Sequence, residues 1–283
     1  TIAKLRAARR LWARVAELSG AGAAVQQRQH VVTSRAMMSK YDPYVNMLRT
    51  TVAAFAAGVG GAEAISVLPF DAPLGQPSAL GRRNARNTSS LLIHESHLGK
   101  VVDPAGGSYA VEKLTDDLAH AGWAEFTAIE ATGGILAALE DGSLQARVDA
   151  VVEAREAEIA RRKRPLTGVS EFPNLDETLP ERAENPDAEQ VRRYGASFEA
   201  LRDEPAANKV FLATLGPVAA HTARATFASN LLAAGGIGVD VAGATADVDE
   251  LVAAYAGQSV VCLAGADKTY AAWGAAAADA LRA

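Results

Sequence analysis

Lys209-Val210-Phe211-Leu212-Ala213-Thr214-Leu215 is followed by Gly216-Pro217, a helical stretch to Ala234, Gly235-Gly236-Ile237-Gly238, and then Val239-Asp240-Val241. A near-continuous apolar run of strand length, bounded by Gly-Pro, reads as a strand buried on both faces. The spacing predicts a helix over Ala219–Ala234, a strand at Val239–Val241, and a helix over Asp247–Ala256. A strand at Ser259–Leu263 and a helix over Lys268–Leu281 complete the pattern. Three successive strand–helix units with short connections imply an open, doubly wound parallel sheet. A flavodoxin-like domain needs about five strands, so residues 209–283 read as part of one.

Moving upstream, residues 166–208 change character. Ser170–Glu189 holds seven acidic residues against one basic, with Pro173, Pro180 and Pro186 spread through it. Such a stretch reads as a linker over the surface, with a short helix over Ala188–Arg202 at its end. Residues 1–165 alternate strand and helix again. An amphipathic helix carries Leu5, Ala8, Leu11, Val15 and Leu18, and Gln29–Thr33 is β-like. Asp42-Pro43 starts a helix with the proline in its first turn, and Ile65–Leu68 is a buried strand. Helices follow over Leu80–Leu92, along a face of Val111, Leu114, Leu118, Phe126 and Ile129, and from Ser143 to the basic run Arg161–Arg164. The chain opens at Thr1 directly on a helix and its sheets look incomplete, so it reads as a segment of something longer.

Composition narrows the function classes. A net charge of −5 argues against a nucleic-acid partner, whose backbone demands clustered cations. Cys262 is the single cysteine, which rules out an internal disulfide and fits a reducing, cytosolic setting. No stretch of about 18 apolar residues marks a membrane span.

Five motifs invite chemistry. His94-Glu95-Ser96-His97 is one residue short of the zinc-binding spacing and has no third ligand, so a packing helix is the better reading and no metal is expected. Gly235-Gly236-Ile237-Gly238 joins a helix to a strand, whereas a dinucleotide loop joins a strand to a helix; it is a helix stop. Arg161–Arg164 suits the C-terminal end of a helix and a solvated surface. His30, in Arg28-Gln29-His30-Val31-Val32-Thr33-Ser34-Arg35, falls where a strand gives way to a loop, the place of catalytic residues in a (β/α)8 barrel. A lone His without a visible partner is commonly structural. His221 follows the first strand of the C-terminal sheet, at the crest where such sheets bind ligands. It has no acidic neighbour in sequence to orient an imidazole.

Several blocks, in this order, resemble the adenosylcobalamin-dependent acyl-CoA mutases, and most of all the small subunits of heterodimeric methylmalonyl-CoA mutases. They are Asp42–Arg49, Gly58–Ala62, Ala85–Thr88, His94–Leu98, Val102–Tyr109 and Arg164–Val169. The resemblance implies part of a substrate-type (β/α)8 barrel over residues 1–165, a linker over 166–208, and a partial flavodoxin-like domain of the cobalamin-binding type over 209–283. In that family the cofactor-bearing domain carries Asp-x-His-x-x-Gly, with His as the lower cobalt ligand. Here Ala219 stands two residues before His221 and Arg224 three after it, so no cobalamin binding is expected on this chain. His30 aligns with a His of the catalytic subunits, but Val32 and Arg35 replace a Gln and a Gly, and His30 reads as vestigial. The resemblance therefore implies a non-catalytic small subunit, paired with a homologous large subunit that holds adenosylcobalamin and isomerises methylmalonyl-CoA and succinyl-CoA. Two alternatives stay open: an active mutase in its own right, or a subunit that binds acyl-CoA for regulation.

Overall fold

The computed structural model describes residues 1–21, 25–186 and 191–282. The chain is of mixed α/β type, mostly helical, with two small parallel sheets. It divides into two compact units. The first comprises residues 1–38, 43–157 and 181–193; the second comprises 39–42, 158–180 and 194–283.

In the first unit, α1 (Ile2–Leu18) precedes β1 (His30–Val32), α2 (Val45–Val59), β2 (Ala64–Ser66), α3 (Ala79–His94), α4 (Tyr109–Ala131), α5 (Gly134–Glu140) and α6 (Ser143–Ala160), the last running past the unit's edge. β1 and β2 pair in parallel, with Val31 opposite Ile65, and both expose two of their three residues. Small residues make the core: Ala3, Ala7, Ala54 and Ala57 are buried. α1 is tied to α4 through Arg6, whose guanidinium donates to Glu112 at 2.8 Å, to Asp103 at 2.8 Å and to Thr115 at 3.1 Å. Those contacts hold the Glu112 carboxyl below its ordinary range, the Arg6 hydrogen bond being the main cause.

Two expectations change here. α2 starts at Val45, because the chain opens after Asp42 in a tighter turn whose bonds run i to i+3, Asn46 N to Pro43 O at 3.0 Å and Met47 N to Tyr44 O at 3.1 Å. The expected apolar face of α4 is only partly covered: Leu114, Leu118 and Phe126 stay exposed, and the residues it buries are Thr115 and Ala119. Small and hydroxyl side chains allow close approach where bulky ones would hold α1 away. Among the described residues the strands do not close into a barrel.

In the second unit, α7 (Ala196–Asp203) leads into β3 (Val210–Leu215), α8 (Val218–Ala234), β4 (Val239–Val241), α9 (Val248–Ala254) and β5 (Val261–Gly265). The chain then runs through α10 (Asp267–Thr269), a π-turn at Tyr270–Gly274 and α11 (Ala275–Ala280). The sheet order is β4-β3-β5, all parallel. Every residue of β3 is buried. Phe211, Ala213 and Leu215 point to one face with Leu251 and Ala277, while Leu212 meets Ala225 and Ala264 on the other. Alternation along a strand puts neighbours on opposite faces, so a core strand covered on both must be apolar throughout. The last helix, expected unbroken over Lys268–Leu281, carries the π-turn instead.

The acidic stretch is not a bare linker. Val169 and Ser170 are fully buried in the second unit. Arg202, also buried, donates to Gly168 O (3.1 Å) and Asn174 O (2.7 Å) and stacks over the Tyr41 ring at 3.9 Å. Asp42 N donates to both carboxylate oxygens of Glu177. Backbone carbonyls gathered around one guanidinium let a polar, proline-rich segment pack without an apolar core of its own. The expected helix over Ala188–Arg202 begins at Ala196, and part of its span, residues 187–190, lies outside the described residues. No helix among the described residues is long and apolar enough to cross a membrane.

Candidate functional site

His30 opens β1 rather than ending it; Thr33 occupies the C-terminal side. The parallel register sets His30 opposite Ala64, and the His30 imidazole reaches two residues on, Nε2 lying 2.8 Å from Ser66 Oγ. Ser66 was hidden in a segment that reads as apolar; only the strand register shows that its hydroxyl meets His30. A base 2.8 Å from a hydroxyl is within proton-transfer distance. Activation also needs a group on the other ring nitrogen, and no such partner exists among the described residues. Both His30 and Ser66 face solvent, where an imidazole gains nothing from a low-dielectric site. Beyond them, Thr33 Oγ1 accepts a hydrogen bond from Leu68 N at 2.9 Å and serves the backbone.

The crest of the second sheet is built from the turn Gly216-Pro217 and the loops after β4 and β5. Thr214 Oγ1 donates to Gly243 O at 2.5 Å, and Thr245 Oγ1 donates to Thr214 O at 2.7 Å. These bonds stitch the loop after β4 to the end of β3. On the β5 side, Arg224 reaches across from α8. It donates to Gly265 O at 2.5 Å and to Asp267 Oδ1 at 2.5 Å, with its guanidinium 5.2 Å from the Tyr270 ring centroid. Arg224 is held further toward its charged form, chiefly by the hydrogen bond to Asp267. Tyr270 Oη in turn accepts from Gly265 N and donates to Leu263 O.

His221 lies in the first turns of α8 and is 5% exposed. Both ring nitrogens are buried with no hydrogen-bond partner among the described residues. A cobalt-ligating imidazole must present one nitrogen to the metal and rest the other on an acceptor. Neither His221 nitrogen rests on an acceptor among the described residues, so the contact that would orient a ligating imidazole is missing there.

The remaining motifs resolve simply. His94 ends α3 and His97 sits beyond it at φ +54°, so the two imidazoles share no helix face. Among the described residues no group of three His, Cys, Asp or Glu could hold a metal ion. Gly236, at φ +78°, follows α8 as a helix stop. The basic run begins beyond the end of α6 and folds back on itself: Arg162 pairs with Glu171 at 2.7 Å, and Arg164 with Glu158.

The sequence model described as methylmalonyl-CoA mutase matches residues 1–257. The chain belongs to the methylmalonyl-CoA mutase family. A methylmalonyl-CoA mutase small subunit from Streptomyces virginiae is 53% identical over the whole chain and 48% of that relative. A probable small subunit from Mycobacterium tuberculosis is 46% identical over 95% of the chain and 46% of its own length. The small subunit of Propionibacterium freudenreichii subsp. shermanii is 40% identical over the whole chain and 46% of its length. The chain thus spans about half the length of the curated relatives it matches.

Proposed function

We propose that this chain belongs to a non-catalytic small subunit of a heterodimeric methylmalonyl-CoA mutase. It supports a homologous large subunit that carries adenosylcobalamin and interconverts methylmalonyl-CoA and succinyl-CoA in the cytosol. In this reading residues 1–165 are part of a (β/α)8 barrel, 166–208 connect it, and 209–283 are part of a flavodoxin-like domain without its cofactor. What carries the reading is the crest of the second unit. Arg224 is committed to Gly265 O and Asp267 there, and the His221 nitrogens are buried. Among the described residues His30 hydrogen-bonds only to Ser66, which supports a vestigial role.

The test is a titration of the full-length subunit with adenosylcobalamin, following the corrinoid absorbance for displacement of the dimethylbenzimidazole ligand by histidine. An unchanged spectrum, with mutase activity appearing only when the large subunit is added, is the expected outcome. Histidine-on binding to the isolated subunit would overturn the reading and return His221 to the site.

A further inference from the structure

In the first unit a cavity of about 420 Å³ lies between the segments that follow β1 and β2 and a wall of Arg182, Glu184, Asn185, Val191 and Arg193. Among the described residues its wall carries Arg35, Arg182 and Arg193 against one acidic residue, Glu184, with Asn185 and Gly75 beside them. Arg35 and Arg193 also have protein partners. Arg182 is the informative member. A guanidinium has five N–H donors, yet here Nη1 donates only to Glu181 O at 3.0 Å. Nη2 stands 3.6 Å from Asp71 Oδ2, beyond hydrogen-bond reach. Nε is buried and has no hydrogen-bond partner among the described residues. The side chain is 26% exposed, so part of it remains accessible.

Asp71 is fixed from behind. It is fully buried, its Oδ2 accepts from Ser78 N at 2.9 Å, and its carboxylate lies against Gly81 in the first turn of α3. Asp71 is not part of the cavity wall; it holds the Arg182 side chain in place without satisfying it. An oriented, under-used guanidinium beside two further arginines suits planar recognition of an oxyanion, which Arg makes with paired N–H donors.

We propose that this cavity binds a small organic anion through a carboxylate or phosphate group held by Arg182. Its volume falls within the range of small-molecule sites, about 300–1,000 Å³, which leaves room for more than a bare ion. This proposal does not depend on whether the chain is catalytic.

The experiment is isothermal titration of the full-length chain with two probes, pyrophosphate and the dicarboxylate glutarate. Saturable binding of either is expected, weakened at least about tenfold in Arg182→Gln and partly restored in Arg182→Lys. The probe that binds identifies the group as phosphate or carboxylate. If Arg182→Gln does not fold, Arg193→Gln reads the same cavity from another part of its wall. No binding of either probe at millimolar concentration, or binding unchanged in the folded variants, overturns the proposal.

Discussion

The two sheets of this chain solve the same problem in opposite ways. β3 buries all six of its residues between α8 on one face and α9 and α11 on the other. β1 and β2 expose two residues in three, and the first unit gains its order from alanines and from polar ties to the backbone. Gln29 Nε2 donates to Leu5 O at 2.9 Å, and Asn46 Nδ2 donates to Phe70 O at 2.9 Å, both inside the unit. A covered strand draws stability from area removed from water. A bare pair depends on individual bonds, each with a modest net contribution.

The largest effect should come from the covered sheet. Phe211→Ala would leave a cavity beside Leu251 and Tyr255, at a cost of about 3–5 kcal/mol, read as a lowered urea midpoint. A loss comparable to that of a surface substitution would break the contrast. Next comes a steric test in the first unit. A Cβ at position 81 would stand 2.1 Å from Asp71 Oδ1, so Gly81→Ala should cost about 1–3 kcal/mol despite its better helix propensity. Thermal unfolding of the variant checks it.

A pH series sharpens the picture of the polar segment in the second unit. Burial first, and then the hydrogen bond that Tyr41 donates to Asp203, push the Tyr41 phenol from 10.0 up to about 12. A group whose folded pKa is raised stabilises fully below its unfolded value and loses that stabilisation as pH rises through the folded one. Stability should therefore fall from pH 10 to about 12, and Tyr41→Phe should flatten that part of the profile. The smallest effect is expected at the bare sheet. His30→Ala should change stability by no more than about 0.5 kcal/mol and leave the activity of the reassembled heterodimer unchanged. A fall in kcat would make the His30–Ser66 pair functional.

The second sheet was largely legible in the sequence because β3 must be apolar along its whole length. Val239–Val241 stands where the spacing put it, and β3 differs by one residue. β5 sits two residues later than expected, since Ser259 and Val260 precede the pairing with β3. What stayed hidden depends on contacts distant in sequence. Nothing local marks Val169 and Ser170 as core; they are buried where residues 158–180 pack with α7. Ser66 becomes a neighbour of His30 only through a register 36 positions apart. The side chain that occupies the crest, Arg224, shows in sequence as a departure from the family pattern, but its bridge to Gly265 and Asp267 does not.

The fit of the Asp71 carboxylate against Gly81 ties two positions ten residues apart into one unit of variation. A lineage that gains any side chain at 81 must first shorten residue 71, and doing so releases Arg182. Drift at these sites therefore has an order: the acid goes before the glycine, and intermediates that reverse the order start from a strained helix.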